Sequence, residues 1–247
     1  LAKSYEVTSD GLTYTFHLRK GVKFWDGTEL KAEDVVYTYQ RSFKTSVGKT
    51  WRSALSKYVT GVPFGDVVPD DVLKERIYAT DDYTVVFELD APYAPFLESV
   101  AYVGRGIIQK KAAIDAGSWY MGDTRDWLMK IDPNMENIDG IIAGIGLQAT
   151  GPYKVRQWSK GERLLLERHE DYWRGPAPTK QIMGLFVPEF STALLMLRQG
   201  EIDQMSANPG EAEQIMNLPS KDQIQVIPLK NIGMIEILYF GFSFDAD

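Results

Sequence analysis

Hydrophobic and polar positions follow two periods along this chain. From Thr13 to Leu18 the apolar Tyr14, Phe16 and Leu18 alternate with Thr13, Thr15 and His17, the period of a half-buried strand. Asp10-Gly11 before it and Trp25-Asp26-Gly27 after it read as turns. Val35, Val36, Tyr39 and Phe43 then recur at helical spacing, which predicts an amphipathic helix over Ala32 to Phe43 with Glu33 and Asp34 in its first turn. At the start of that helix Lys31 offers no side-chain acceptor, so no capping box is expected there.

Ile77 to Leu89 predicts a hairpin around Asp81-Asp82, with Val85, Phe87 and Leu89 on one face and Val86 on the other. Pro92 and Pro95 end that strand and introduce a short helix over Phe96 to Ala101. Asp115 to Gln148 is rich in Asp, Gly and Asn; it predicts loop, with one short helix near Trp127. Beyond it, Tyr153 to Trp158 and Arg163 to Arg168 are strands joined by Ser159-Lys160-Gly161-Glu162, and Gln181 to Val187 is a third. Ser191 is placed to cap a helix from Thr192 to Gln199, with Leu194, Leu195 and Leu197 facing inward and Gly200 as its stop. A strand at Ile202 would complete a strand–helix–strand crossover, which makes the class α/β with a parallel or mixed sheet. Met234 to Phe244 predicts a further apolar strand.

The 247 residues include 27 basic and 34 acidic side chains, for a net charge of −7, and 44% are hydrophobic. That is enough apolar material for a sizeable core and excludes disorder. The acidic balance disfavours nucleic acid, and no apolar run approaches the length that spans a bilayer. The absence of cysteine removes disulfides, thiolate metal sites and cysteine nucleophiles, but fits either redox compartment. Leu1-Ala2-Lys3-Ser4-Tyr5 carries neither a starting methionine nor a signal peptide and reads as the interior of a longer protein.

Candidate chemistry mostly dissolves on inspection. Gly144, Gly146 and Ala149 match a dinucleotide fingerprint, yet Gly151-Pro152 follows at once and proline forbids the helix that would receive a pyrophosphate. Asp132, Asn134 and Glu136 have calcium-loop spacing, but the sixth position is Asn137 and the twelfth Ala143. His17 and His169 lie far apart without a second ligand at metal spacing, and His17 falls on the polar side of its strand. The acidic pairs Glu33-Asp34, Asp70-Asp71, Asp81-Asp82 and Glu170-Asp171 are neighbours at turns and helix starts, not carboxylates facing each other across a bond. No nucleophile elbow is present. No cofactor or metal is implied, and the reading is of a protein that is not an enzyme.

Two blocks of sequence carry a resemblance. One runs from Thr13 to Val36 and contains His17-Leu18-Arg19-Lys20-Gly21 and Trp25-Asp26-Gly27-Thr28; the other opens with Thr150-Gly151-Pro152-Tyr153 and closes with Gly200-Glu201-Ile202-Asp203. Together they resemble the extracytoplasmic solute-binding proteins of peptide-type ABC importers, family 5. The resemblance implies a type II periplasmic-binding-protein-like fold, of which this chain would hold one lobe: residues 1–148 as the small inserted α+β subdomain and residues 149–247 as the α/β part leading to the hinge. It implies a monomeric receptor in the periplasm, or lipid-anchored at the outer face of the cytoplasmic membrane, that passes oligopeptides or dipeptides to a membrane permease. Nickel chelates, oligosaccharides and other small solutes stay open within the class, and a secreted carbohydrate-active enzyme is the alternative outside it. In relatives the connection holding Trp51 and the turn holding Tyr102 and Arg105 line the solute cleft, an arginine there being suited to grip a carboxylate. Ordinary surface cover is the other reading of Trp51, and a solvated charge that of Arg105.

Overall fold

A computed structural model describes residues 1–45, 53–63, 66–101, 106–123, 148–218 and 224–227. The chain divides into two compact units, Leu1–Phe186 and Val187–Asp247.

Among the described residues the first unit holds two antiparallel sheets. Strands β1 (Ala2–Val7), β2 (Thr13–Leu18), β3 (Ile77–Asp81) and β4 (Thr84–Glu88) pair in the order β1-β2-β4-β3. The expected alternation sets this register: Tyr14 lies opposite Phe87 and Phe16 opposite Val85. Their rings meet Phe96, at 4.2 Å from Tyr14 and 5.5 Å from Phe87. Tyr39 reaches the edge of Phe87 from helix α1 (Ala32–Thr45). Phe24, Leu30, Phe43, Leu55, Leu73, Ile77 and Trp119 complete a core that excludes water. Val86 points to the opposite face and is buried as well.

Short helices cover this sheet: α2 (Ser53–Thr60), α3 (Asp70–Arg76), α4 (Phe96–Val100) and α5 (Lys110–Asp115). Helix α1 carries polar residues inward to hold them. Buried Gln40 donates to the carbonyls of Leu73 and Ile77 at 3.2 and 2.8 Å, and Arg41 Nε donates to Ser118 Oγ at 2.6 Å. Gly61, with φ of 72°, ends α2 so close to Asp90 that a Cβ there would stand 2.8 Å from its carboxyl carbon.

The start of α1 differs from expectation. Lys31 itself caps nothing, but half of a capping box survives, because the Lys31 amide donates to Asp34 Oδ2 at 2.9 Å. Its ammonium group instead lies 4.2 Å over the Tyr83 ring, bonds the Tyr83 hydroxyl, and pairs with Glu29 at 3.1 Å and Asp82 at 3.4 Å. A long cationic chain finds three acceptors, Glu29 beside it and Asp82 and Tyr83 in the hairpin turn, where a short hydroxyl would have found only the helix amides.

The second sheet, in the order β5-β6-β7, consists of β5 (Tyr153–Ser159), β6 (Arg163–Arg168) and β7 (Gln181–Leu185). The turn after β5 closes through Glu162 N to Ser159 O at 3.0 Å. None of its strand residues is fully buried, and every residue of β7 is exposed.

Among its described residues the second unit contains α6 (Phe190–Gln199) and α7 (Pro209–Met216). Helix α6 starts one residue before the expected cap, so Ser191 lies inside it and Glu189 stands at the N-cap without a side-chain bond. Gly200 ends it as expected, in the left-handed region with φ of 72°. Ala193 is the buried residue of this helix, whereas Leu195 is half exposed at 52%. Ile202 is not in a strand, and both described sheets are antiparallel, so the expected parallel crossover is absent among the described residues. A strand needs a partner ladder, and a local pattern cannot supply one. The helix near Trp127, the strand from Met234 to Phe244, the glycine fingerprint at Gly144 and the calcium-like spacing at Asp132 lie outside the described residues.

Candidate functional site

Trp51, Tyr102 and Arg105 also lie outside the described residues. What the structure describes is the scaffold from which their connections depart. Helix α1 holds both flanks of the connection containing Tyr102 and Arg105: Tyr39 OH donates to Val100 O at 2.9 Å, and Thr38 Oγ1 accepts from the amide of Ile108 at 3.1 Å. Adjacent residues of one helix thus fix the two ends of that stretch. The connection containing Trp51 leaves the end of α1 and enters α2. Helix α2 is tied to the segment before α4, since Tyr58 stacks on Tyr93 at 4.5 Å and the Asp90 amide donates to Tyr58 O at 2.8 Å. The connections with the three expected site residues therefore spring from one packed group, α1, α2 and α4.

The two blocks singled out in the sequence meet in space. The Trp25 amide donates to Ala149 O at 3.1 Å and its indole Nε1 to Gly151 O at 3.4 Å, while Lys154 Nζ returns to Trp25 O at 2.5 Å. His169 is buried here, its Nδ1 at 3.2 Å from the same Gly151 carbonyl and its amide donating to Pro152 O at 2.8 Å. Gln109 joins from α5's entry, its amide donating to Gln148 O at 3.2 Å and its side chain to Asp26 Oδ2 at 3.0 Å. The Trp25-Asp26-Gly27-Thr28 turn and the Gly151-Pro152 junction are thus a clasp that holds the two sheets of the first unit together.

The acidic pairs are engaged in structure. Asp34 accepts from the amides of Lys31 and Lys110, both at 2.9 Å, and so caps α1 and α5 at once; burial pushes its carboxyl above the usual range. Glu33 pairs with Lys110 at 2.8 Å, Asp70 with Lys44 at 2.7 Å and Asp82 with Lys31. Asp81 accepts from the Tyr83 amide at 2.7 Å within the hairpin turn. Glu170 pairs with Arg168 at 2.8 Å and Asp171 with Lys23 at 3.3 Å. Glu29 is held down to about 2 by the Gly21 amide, and then by the Tyr83 hydroxyl and Lys31. His17 stays at the surface side of β2, 3.3 Å from Glu6. Among the described residues no group of three or more His, Cys, Asp or Glu could hold a metal ion, and no helix is long and apolar enough to cross a membrane.

Comparison with known proteins places this scaffold. Residues 1–245 match the model of bacterial extracellular solute-binding proteins, family 5 Middle, and the chain belongs to that family. The dipeptide-binding protein of Escherichia coli K12 is 28% identical over 274 aligned positions, covering 100% of this chain and 46% of the relative. Heme-binding protein A of Haemophilus influenzae is 26% identical, covering 97% of this chain and 40% of its own length. Among solved structures, the ABC transporter-associated periplasmic binding protein DppA from Helicobacter pylori, in complex with the peptide STSA, superposes with a TM-score of 0.62 at 30% identity, over 89% of this chain and 40% of that one. The chain therefore spans less than half the length of these relatives, and its mixed α/β architecture corresponds to part of one lobe of the type II binding-protein fold.

Proposed function

We propose that this chain is part of the solute-capturing receptor of an ABC importer, and that the receptor takes up oligopeptides or dipeptides and delivers them to a membrane permease. The observation that carries the reading is similarity along the whole chain to a dipeptide-binding protein and over 89% of it to a binding protein solved with a peptide. In this reading residues 1–148 form the inserted subdomain and residues 149–247 the part of the first lobe that leads to the hinge. The receptor works as a monomer outside the cytoplasmic membrane, free in a periplasm or held by a lipid anchor, and performs no chemistry on its solute. Capture is a population shift: a solute that contacts both lobes favours the closed form by its differential affinity. Trp51, Tyr102 and Arg105 line the cleft. The support for this is that their connections leave one packed group of helices, with Thr38 and Tyr39 fixing the ends of one of them.

A second solute class has a specific observation in its favour, because a relative of similar identity is named for heme. Mass spectrometry of small molecules that co-purify with the full-length receptor separates the two. A pool of short peptides is expected. A porphyrin, a metal chelate or an oligosaccharide in place of peptides overturns the peptide assignment, and covalently altered solute overturns the absence of chemistry.

A further inference from the structure

Trp173 lies where the two sheets of the first unit meet, and two arginines share its ring. Arg19, immediately after β2, has its guanidinium carbon 5.1 Å from the ring centroid; that of Arg174, in the turn after β6, is at 4.5 Å. The platform is fixed. Trp173 is partly buried against the main core, and Tyr172 meets its ring edge-on at 5.8 Å. Trp173 and Arg174 are the central pair of a tight turn closed by Gly175 N to Tyr172 O at 2.7 Å, and Gly175 has a φ of 88° that favours glycine.

The acids beside this turn are committed elsewhere. Glu170 pairs with Arg168 and Asp171 with Lys23, and among the described residues the guanidinium groups of Arg19 and Arg174 make neither an ion pair nor a hydrogen bond, the Arg19 backbone amide alone donating, to Leu1 O at 3.0 Å. A guanidinium lying on an aromatic face keeps its in-plane N–H donors free, in the fork that matches an oxyanion. Two like charges gathered on one ring, each with unused donors, gain most from an anion that bridges them. We propose that Arg19, Trp173 and Arg174 form an oxyanion-binding site for a phosphate-type group. It uses none of the residues proposed to line the solute cleft.

The probe is inorganic phosphate, titrated against the arginine side-chain Nε–H resonances of this chain at constant ionic strength maintained with chloride. Saturable shifts of the Arg19 and Arg174 signals are expected, and Arg19→Gln or Arg174→Gln should each weaken the interaction about tenfold or more, as loss of a charge-assisted fork implies. A vesicle arm identifies the source of the group. Flotation with phosphatidylglycerol but not phosphatidylcholine vesicles, lost in either variant, assigns a lipid headgroup; saturable phosphate binding without flotation assigns a free anion. Linear, non-saturating shifts equal to those produced by chloride, with no flotation, overturn the site. So does unchanged phosphate affinity in both variants. The wild-type titration decides the matter even if a variant fails to fold.

Discussion

The two sheets of the first unit are built from equally apolar strands and end in opposite states. In the four-stranded sheet Val85, Val86 and Phe87 of β4 are buried, under helices whose polar residues turn inward to hold the scaffold. In the three-stranded sheet Leu164, Leu165 and Leu166 of β6 are only half buried, and Met183 and Leu185 of β7 are 58% and 42% exposed. Consecutive apolar residues that point to both faces are the pattern of a strand covered on both sides. The contrast teaches that alternation predicts a strand, while burial depends on what covers it.

The largest effect expected from this contrast comes from truncating equivalent apolar side chains in the two sheets. Phe87→Ala should cost about 3–5 kcal/mol of unfolding free energy, and Met183→Ala no more than about 0.5 kcal/mol, both read from urea midpoints of this chain. A Met183→Ala cost approaching that of Phe87→Ala would show that the outer sheet is packed after all.

Gly61 gives the next effect. With φ of 72° and Asp90 at 2.8 Å from the position of a Cβ, Gly61→Ala should destabilise on the order of 1–3 kcal/mol and disturb the 3.1 Å pair between Asp90 and Arg76. Gly161, in the turn of the outer sheet, has φ of 76° but nothing within 4 Å; its alanine variant should lose only the conformational part. Equal losses at the two positions would remove close approach as the cause.

A smaller effect separates charge from packing at the start of α1. The folded pKa of Glu29 is lowered from 4.5 to about 2, so its contribution to stability is fully present above 4.5 and is lost as pH falls towards 2. The stability difference between wild type and Glu29→Gln should therefore narrow over that window. Asp34, whose pKa burial raises, works in the opposite sense, but it is common to both proteins and cancels. Lys31→Thr should lower the melting temperature despite supplying a helix-capping hydroxyl, because it removes the contacts to Glu29, Asp82 and Tyr83. A difference independent of pH, or a higher melting temperature for Lys31→Thr, would contradict this account of the cluster.

Much of the framework was legible where a long periodic face existed. Strand β2, helix α1 and the β3–β4 hairpin fall where alternation and helical spacing put them. Helices α2, α3 and α5 give no such signal, since at 8, 7 and 6 residues they offer only about two turns in which a period could show. Helix α7 carries a short local signal, since Asn208 and Glu211 form a capping box with Pro209 in the first turn. The inward polar residues were the hardest to foresee. Gln40, Arg41, Asp34 and His169 are buried because each meets a particular backbone or hydroxyl partner, whereas polarity alone would have put them at the surface. For the solute site, the residues themselves were named from the family resemblance, and only their anchoring helices are described.

The most direct test of the account is a calorimetric titration of the full-length receptor with dipeptides to pentapeptides, alongside Trp51→Ala and Arg105→Ala variants and the present chain alone. The account predicts binding by the receptor, weaker binding in both variants with unchanged melting temperatures, and no tight binding by this chain. Submicromolar peptide affinity in this chain alone, or wild-type affinity in both variants, would contradict it.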